Sequence, residues 1–317
     1  MEAWSEAIAS SGKRKILRLP VKRFFLKPEY PYDASILLAF LRRFAAPSLN
    51  YVSGDQIWRV LHIANQPALV IVEAEGDGLR VSMPKYVDGA EEAVAHWLGL
   101  DANLSDFYAL ITRDAALSTL FSGLVGLPLL RTEDLFEALI CVIIEQHISW
   151  VAAQGAQQRL IHATGTTIAH EGHTLYAMPT PEQIANAPEE ALIATKITFK
   201  RQALIREMAQ RVLNRDIDLQ AWQQLAPEEL YATLLQIKGI GHWTAAVVVA
   251  RATGQYPYVL HNDVALQAAV NHYFLGGKGR IPGQLLIDTL APYGEFAGLV
   301  AHFTIIKWVL DMYPVAT

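Results

Sequence analysis

The segment Leu234-Leu235-Gln236-Ile237-Lys238-Gly239-Ile240-Gly241-His242-Trp243-Thr244-Ala245 constrains the fold more than any other stretch. Leu230, Leu234 and Ile237 share one helical face, and the run stops at two glycines that enclose a single apolar residue. A second helix begins at once, so the chain must reverse in a tight turn. Gly239 and Gly241 permit φ > 0 and close backbone approach, and Ile240 between them can plug into a core. The first amides of the following helix then point outward as an anion site. Backbone donors on a phosphate grip a nucleic acid without reading its sequence. An ordinary helix corner with a glycine C-cap carries the same Gly-x-Gly.

Asp263, in Leu260-His261-Asn262-Asp263-Val264-Ala265-Leu266, follows Gly241 by 22 residues. It stands where an apolar helical run begins, and an N-cap role alone accounts for it. The helix dipole at that position also favours the ionised form. A carboxylate kept ionised beside a phosphate-holding turn suits one reaction. It stabilises the positive charge that develops on a deoxyribose as its base departs, and it orients the attacking water.

The composition fits this picture without demanding it. With 317 residues, 52% of them hydrophobic, the chain is long enough for two domains with sizeable cores. A net charge of −5 is too small for a disordered chain and argues mildly against nucleic acid. Its distribution points the other way: from Thr195 to Arg215, Lys196, Lys200, Arg201, Arg206, Arg211 and Arg215 face Glu207 alone. By itself that is a solvated helix face; beside a phosphate motif it becomes a second contact. No apolar run approaches the ~18 residues of a membrane span. Met1–Glu6 lacks the basic start and apolar stretch of a secretory signal, so a soluble, cytoplasmic protein is expected. Cys141, the one cysteine, excludes an intrachain disulfide and any four-cysteine zinc or iron–sulfur site.

The period-2 pattern of Leu79, Val81 and Met83, the run Leu69–Val72 and the stretch Ile57–Ala64 predict an antiparallel meander. A helix capped by Asp33 and another over Ala90–Leu98 cover one face. After Leu104 no strand is predicted. Glu133–Thr164 reads as one long helical stretch, and helices open at Thr180-Pro181 and Ala226-Pro227. The reading is α+β: a tail over 1–17, an antiparallel-sheet domain with two helices over 18–112, and an all-α bundle over 113–317.

With these motifs in hand, the chain resembles the helix-hairpin-helix/Gly-Pro-Asp superfamily of DNA base-excision glycosylases, most closely the AlkA-type 3-methyladenine glycosylases. The likeness rests on Pro31-Tyr32-Asp33 with Phe40, on Phe136–Leu139 through Gln146-His147-Ile148-Ser149, on Lys200-Arg201-Gln202-Ala203, and on the turn and Asp263. It implies a TBP-like N-terminal sheet domain and a cleft between two lobes of the helical domain. It implies Asp263 as the catalytic carboxylate and Lys238, Gly239, Ile240, Gly241, His242 and Thr244 as the phosphate clamp. Gln146, His147, Ser149, Lys200 and Arg201 would meet DNA, with His147 filling the gap left by an extruded nucleotide. Trp243, Phe40, Tyr293 and His302 would form the base pocket. No cofactor is required, although the carbonyls of Ile237 and Gly239 match a structural Na⁺ or K⁺ site. The implied partner is duplex DNA with damaged bases, bound by a monomer in the cytoplasm or on a bacterial nucleoid.

One position separates reaction types. Bifunctional members carry a nucleophilic lysine where this chain has Trp243, so a monofunctional enzyme that leaves an abasic site is expected. Tyr293–Gly298 is more similar to the 8-oxoguanine glycosylases, but Ala301 stands where those place a polar base-reading side chain. Excision of alkylated purines is therefore the leading expectation. Excision of 8-oxoguanine or another lesion is the first alternative, and a non-catalytic damaged-DNA-binding protein the second.

Overall fold

Alternating apolar residues build a five-stranded antiparallel sheet in the first third of the chain. The computed structural model describes residues 21–43 and 49–312, and the expected 1–17 tail lies outside them. The strands are β1 (Lys22–Leu26), β2 (Asn50–Ser53), β3 (Gln56–Ile63), β4 (Gln66–Glu75) and β5 (Gly78–Met83), in spatial order β1-β5-β4-β3-β2. The expected meander is present as β3, β4 and β5, and it is extended at each edge by a strand too short to read from alternation. Ala64 and Asn65, at φ 49° and 60°, make the two-residue turn between β3 and β4. Helix α1 (Ala34–Leu41) starts at Asp33, whose carboxylate accepts from Ser35 N at 2.8 Å. With α2 (Ala90–Leu98) it covers the face that carries Ile57, Leu61, Val72 and Val81.

The opposite face overturns one expectation. Trp58, Val60, Leu69 and Ile71 are covered by Leu175 of a two-stranded hairpin, β6 (Thr167–His170) and β7 (His173–Tyr176), and by Ala177 just after it. The later part of the chain is therefore mostly, not wholly, helical. The hairpin escapes a sequence reading because each strand has four residues and few apolar positions. Glu171 and Gly172 make its turn at φ 47° and 81°. Such a hairpin is marginal alone and persists here by packing on a larger sheet.

The remaining helices run in order α3 (Ser105–Arg113), α4 (Ala115–Phe121), α5 (Leu135–Glu145), α6 (Trp150–Thr164), α7 (Pro181–Ala185) and α8 (Glu189–Ala194). After them come α9 (Phe199–Leu213), α10 (Leu219–Gln223), α11 (Pro227–Leu235) and α12 (His242–Thr253). The chain closes with α13 (Val264–Phe274), α14 (Gly283–Leu290) and α15 (Ala297–Met312). They form two cores. Helix α5 is buried at every residue from Leu135 to Ile144, so it is the spine around which α6, α9 and α12 pack, with α11 joining the same core against α12. The other core joins α3 and α4 to α13, α14 and α15, with Phe107 edge-on to Phe303 at 4.8 Å.

The stretch Glu133–Thr164 is not continuous. It breaks at Gln146–Ser149, where His147 takes φ 55° and Ser149 caps α6 by accepting from Ala152 N. Serine competes well for the N-cap, and that local hydrogen bond ends one helix to begin another.

One buried ion pair ties the sheet to the spine. Arg59 on β3 donates from Nη2 to Glu137 Oε2 on α5 at 2.5 Å, and both side chains are almost wholly buried. Burial pushes the Glu137 carboxyl upward, and the Arg59 guanidinium opposes that shift. Removing one partner strands a charge in the interior. Arg59→Met is expected to lower stability by about 3–5 kcal/mol in urea unfolding, while Arg59→Met with Glu137→Leu recovers most of that loss. Equal stability of the single variant and the parent would contradict the role given to the pair.

Candidate active site

The two-glycine turn is fixed from beneath. Ile237 and Ile240 are buried, and Ile240 N donates to Ile237 O at 3.0 Å. Lys238, Gly239, Gly241 and His242 are exposed around them. Gly239 has φ 100°, and a Cβ there would sit 3.1 Å from Leu204 on α9. Gly241 departs from expectation: its φ is −101°, an extended conformation open to any residue, and a Cβ there would meet nothing within 4 Å. The backbone therefore requires a glycine at 239 but not at 241. No side chain caps α12, so its first amides remain available to an anion.

Gln146 locks this turn to the end of α5. Its Nε2 donates to Gly239 O and to Thr244 Oγ1, each at 3.0 Å. Thr244 is buried, so both side chains organise the turn, and Thr244 has only its backbone amide, in the first turn of α12, to offer an outside ligand. His147 is exposed in its left-handed conformation, one residue from the lock, and Ser149 is spent on capping α6. The contact of Leu204 with Gly239 brings the start of α9, with exposed Lys200 and half-buried Arg201, beside the turn. His242 Nδ1 lies 2.6 Å from Tyr231 Oη, and the Tyr231 ring stacks on Tyr258 at 4.0 Å. The expected cation site has carbonyls already engaged: Gly239 O by the Gln146 amide and Ile237 O by Ile240 N. No group of acidic, histidine or cysteine side chains among the described residues is arranged to hold a metal.

Asp263 is the N-cap of α13 and more. Its Oδ1 accepts from Ala265 N and Leu266 N, each at 2.9 Å. Its Oδ2 accepts from the Trp243 indole Nε1–H at 3.0 Å. Capping uses one oxygen, and the other faces the aromatic ring. Both residues line a cleft of about 680 Å³, together with Phe40 and His302. Tyr293 is not there: its ring packs edge-on to Phe274 at 6.1 Å, on the core of the C-terminal helices.

The cleft also holds residues that sequence reading missed. Trp150, Tyr256, Tyr258 and Trp308 line it, reached from α6, the α12–α13 segment and α15. Deeper in, Arg251 donates from Nη1 and Nη2 to Glu145 Oε1 and Oε2, both at 2.7 Å, and Gln157 donates to the same carboxylate. Of the carboxylates that line the cleft, Glu137 and Glu145 are each matched by an arginine. Asp263 has no cationic partner among the described residues. His302 lies against Tyr256 with ring centres 4.2 Å apart and planes tilted by 34°. Burial and the nearby Arg251 charge push its imidazole down to about 3, so it is neutral at ordinary pH.

No family model matches the chain. A curated relative, DNA-3-methyladenine glycosylase of Bacillus subtilis, is 26% identical over 229 residues, 69% of this chain and 76% of the relative. Among solved structures, 3-methyladenine DNA-glycosylase from Archaeoglobus fulgidus superposes with a TM-score of 0.76 at 21% identity, covering 92% of this chain and all of the other. The chain is AlkA-like, a relative of the DNA glycosylases. The 8-oxoguanine glycosylase/lyase of Clostridium acetobutylicum shares the fold at a TM-score of 0.70 and 15% identity, over 92% of this chain and 98% of that one. The AlkA-like fold accounts for the sheet followed by mostly helices.

The two glycines are separable by experiment. Gly239→Ala is expected to lose about 1–3 kcal/mol of stability, from the strain of a left-handed backbone and the Leu204 contact. Gly241→Ala is expected to unfold within about 0.5 kcal/mol of the parent. Denaturant melts of both variants decide it, and equal losses would refute the distinction.

Proposed function

We propose that this chain is a monofunctional DNA N-glycosylase of base-excision repair that removes alkylated purines, of the 3-methyladenine and 7-methylguanine type, from duplex DNA. The observation that carries the reading is Asp263: an unpaired carboxylate, fixed by three donors, inside an aromatic cleft beside a turn with open amides. In this reading α11, the turn and α12 are the helix-hairpin-helix, and the N-terminal sheet with α1 and α2 is the TBP-like domain. The turn and the start of α9 hold the sugar–phosphate backbone, and a damaged nucleotide swings into the cleft while His147 enters the gap. The relative's name refers to 3-methyladenine.

The chemistry follows from charge. As the glycosidic bond breaks, its electron pair leaves with the base and the sugar becomes an oxocarbenium-like cation. Asp263 stabilises that cation and orients the water that attacks the anomeric carbon; the water's proton passes to solvent as the abasic sugar forms. An alkylated purine is already cationic and departs without an acid. The cleft accordingly needs no general acid, and a neutral His302 supplies none. Aromatic faces attract such a base by cation–π interaction, worth about 0.5–2 kcal/mol. The Trp243 indole is spoken for by Asp263 at its edge, so any stacking uses its face. It has no amine to form a Schiff base, and Ala301, which lines the cleft, cannot hydrogen-bond an oxidised base. Both points weigh against 8-oxoguanine. The protein is read as a monomer that acts where DNA lies, in the cytoplasm or on a nucleoid. No helix among the described residues is long and apolar enough to cross a membrane.

A panel of duplexes, each with one lesion, tests this reading. Release of 3-methyladenine and 7-methylguanine, no release of 8-oxoguanine, and no borohydride-trapped adduct are expected. Trapping of a covalent adduct, or release of 8-oxoguanine alone, would overturn it. The pH dependence is a separate test. Because the folded His302 stays neutral above about pH 3, single-turnover release of a cationic base is expected to vary less than about threefold from pH 6 to 8.5. A descending limb near pH 6.5 that vanishes in His302→Gln would show that this histidine acts as an acid.

A further inference from the structure

Helix α15 meets the segment that leads to Asp263 backbone to backbone. A Cβ at Gly298 would sit 1.8 Å from Tyr256 O and 3.4 Å from Tyr258 N, so only a glycine allows the approach. His302 lies one helical turn after Gly298, on the same face of α15. That places its ring against Tyr256, with centres 4.2 Å apart. The segment pressed by Gly298 continues to Asp263, and His302, Tyr256 and Asp263 all line the one cleft.

The polar atoms of this ring pair are unspent. Neither the His302 imidazole nor the Tyr256 hydroxyl makes a hydrogen bond or ion pair among the described residues. The floor of the cleft differs, because there Arg251 holds Glu145 and Arg59 holds Glu137. Of the α15 residues that line the cleft, His302 alone has a hydrogen-bond acceptor in its side chain. Burial and the Arg251 charge keep the imidazole neutral above about pH 3, so one ring nitrogen carries a bare lone pair. Burial likewise pushes the Tyr256 phenol up, and its hydroxyl stays protonated. Polar groups left open in a site reward the ligand that pairs with them and penalise the one that covers them without pairing.

The lone pair suits one partner best. The exocyclic amine of a cationic purine shares the positive charge of the ring, which makes it a strong donor and weakens the acceptors of the base. A hydrogen bond from that amine to a neutral imidazole is charge-assisted, and so stronger than one between neutral groups. A protonated histidine would offer only donors and would repel the base. As the base departs it sheds its charge, so the bond contributes to capture of the everted nucleotide, ahead of cleavage.

We propose that His302 determines the specificity of the cleft: a bare ring nitrogen accepts from an exocyclic amine of the everted base, and Tyr256 holds the ring in place. This rests on the glycosylase reading and narrows it to alkylated purines that retain an exocyclic amine, over their deaminated counterparts.

The test compares two cationic bases that differ by one amine, 7-methylguanine and 7-methylhypoxanthine, each in the same duplex and released by the full chain in a single turnover. Each rate is divided by spontaneous loss from the duplex alone, which removes the difference in leaving ability. The parent is expected to favour 7-methylguanine by about 10–150-fold, the worth of one charge-assisted hydrogen bond. His302→Leu is expected to bring that ratio to within about threefold of one, and His302→Gln, which keeps an amide acceptor, to recover part of it. Equal enhancement of both bases by the parent would overturn the proposal and leave the glycosylase reading standing. So would a His302→Leu variant that slows both bases alike and keeps the ratio, the mark of a packing role. If the parent releases neither base, the glycosylase reading falls and takes the proposal with it.

Discussion

The hydrogen bond from Trp243 to Asp263 joins the two halves of the site. It runs from the first turn of α12, which begins at the two-glycine turn, to the cap of α13. Whatever positions the turn therefore positions the carboxylate. Two amides hold one oxygen of Asp263 and an indole holds the other, so the group has little rotational freedom left. A carboxylate fixed before the reaction acts on developing charge without reorganising, which is where such groups are most effective. The Gln146 lock extends the same frame back to the buried spine, α5.

Charge in the cleft is arranged to leave one group unmatched. Glu137 and Glu145 are each paired to an arginine, and His302 is kept neutral by burial and by Arg251. Against that balanced background Asp263 supplies the negative potential. Aromatic side chains line the cleft that it faces, and charges act more strongly where the medium is less polar. The arrangement favours a ligand that is cationic on arrival or becomes so during the reaction. It also explains why the polar floor does not compete: its charges are already satisfied by partners.

Much of this was legible in the chain because the signals are local. Asp33 and Asp263 are readable as caps, the alternation at Leu79–Met83 as a strand, and the two glycines as a turn. At Asp263 the cap uses one oxygen only, and the other accepts from the Trp243 indole, a partner that no local pattern gives. What stayed hidden depends on contacts between distant segments. Glu145 and Arg251 lie 106 residues apart and look like ordinary helix charges. Thr244 and Gln146 look exposed in a motif, yet they spend their polar atoms on each other and on the turn. Tyr293 sits next to a plausible motif but on a helix face turned to the other core. The β6–β7 hairpin is invisible because its stability comes from the sheet beneath it, not from its own residues.

The most direct measurement is single-turnover release of 7-methylguanine from a duplex by Asp263→Asn, with binding to the same duplex measured in parallel. The substitution keeps the shape and the capping oxygen, removes the charge, and turns the acceptor that faced the Trp243 indole into an amide donor. The account predicts a loss in rate of about 10²–10³ or more with affinity for DNA retained. A variant that releases the base at nearly the parent rate would show that the charge on Asp263 is not what breaks the bond.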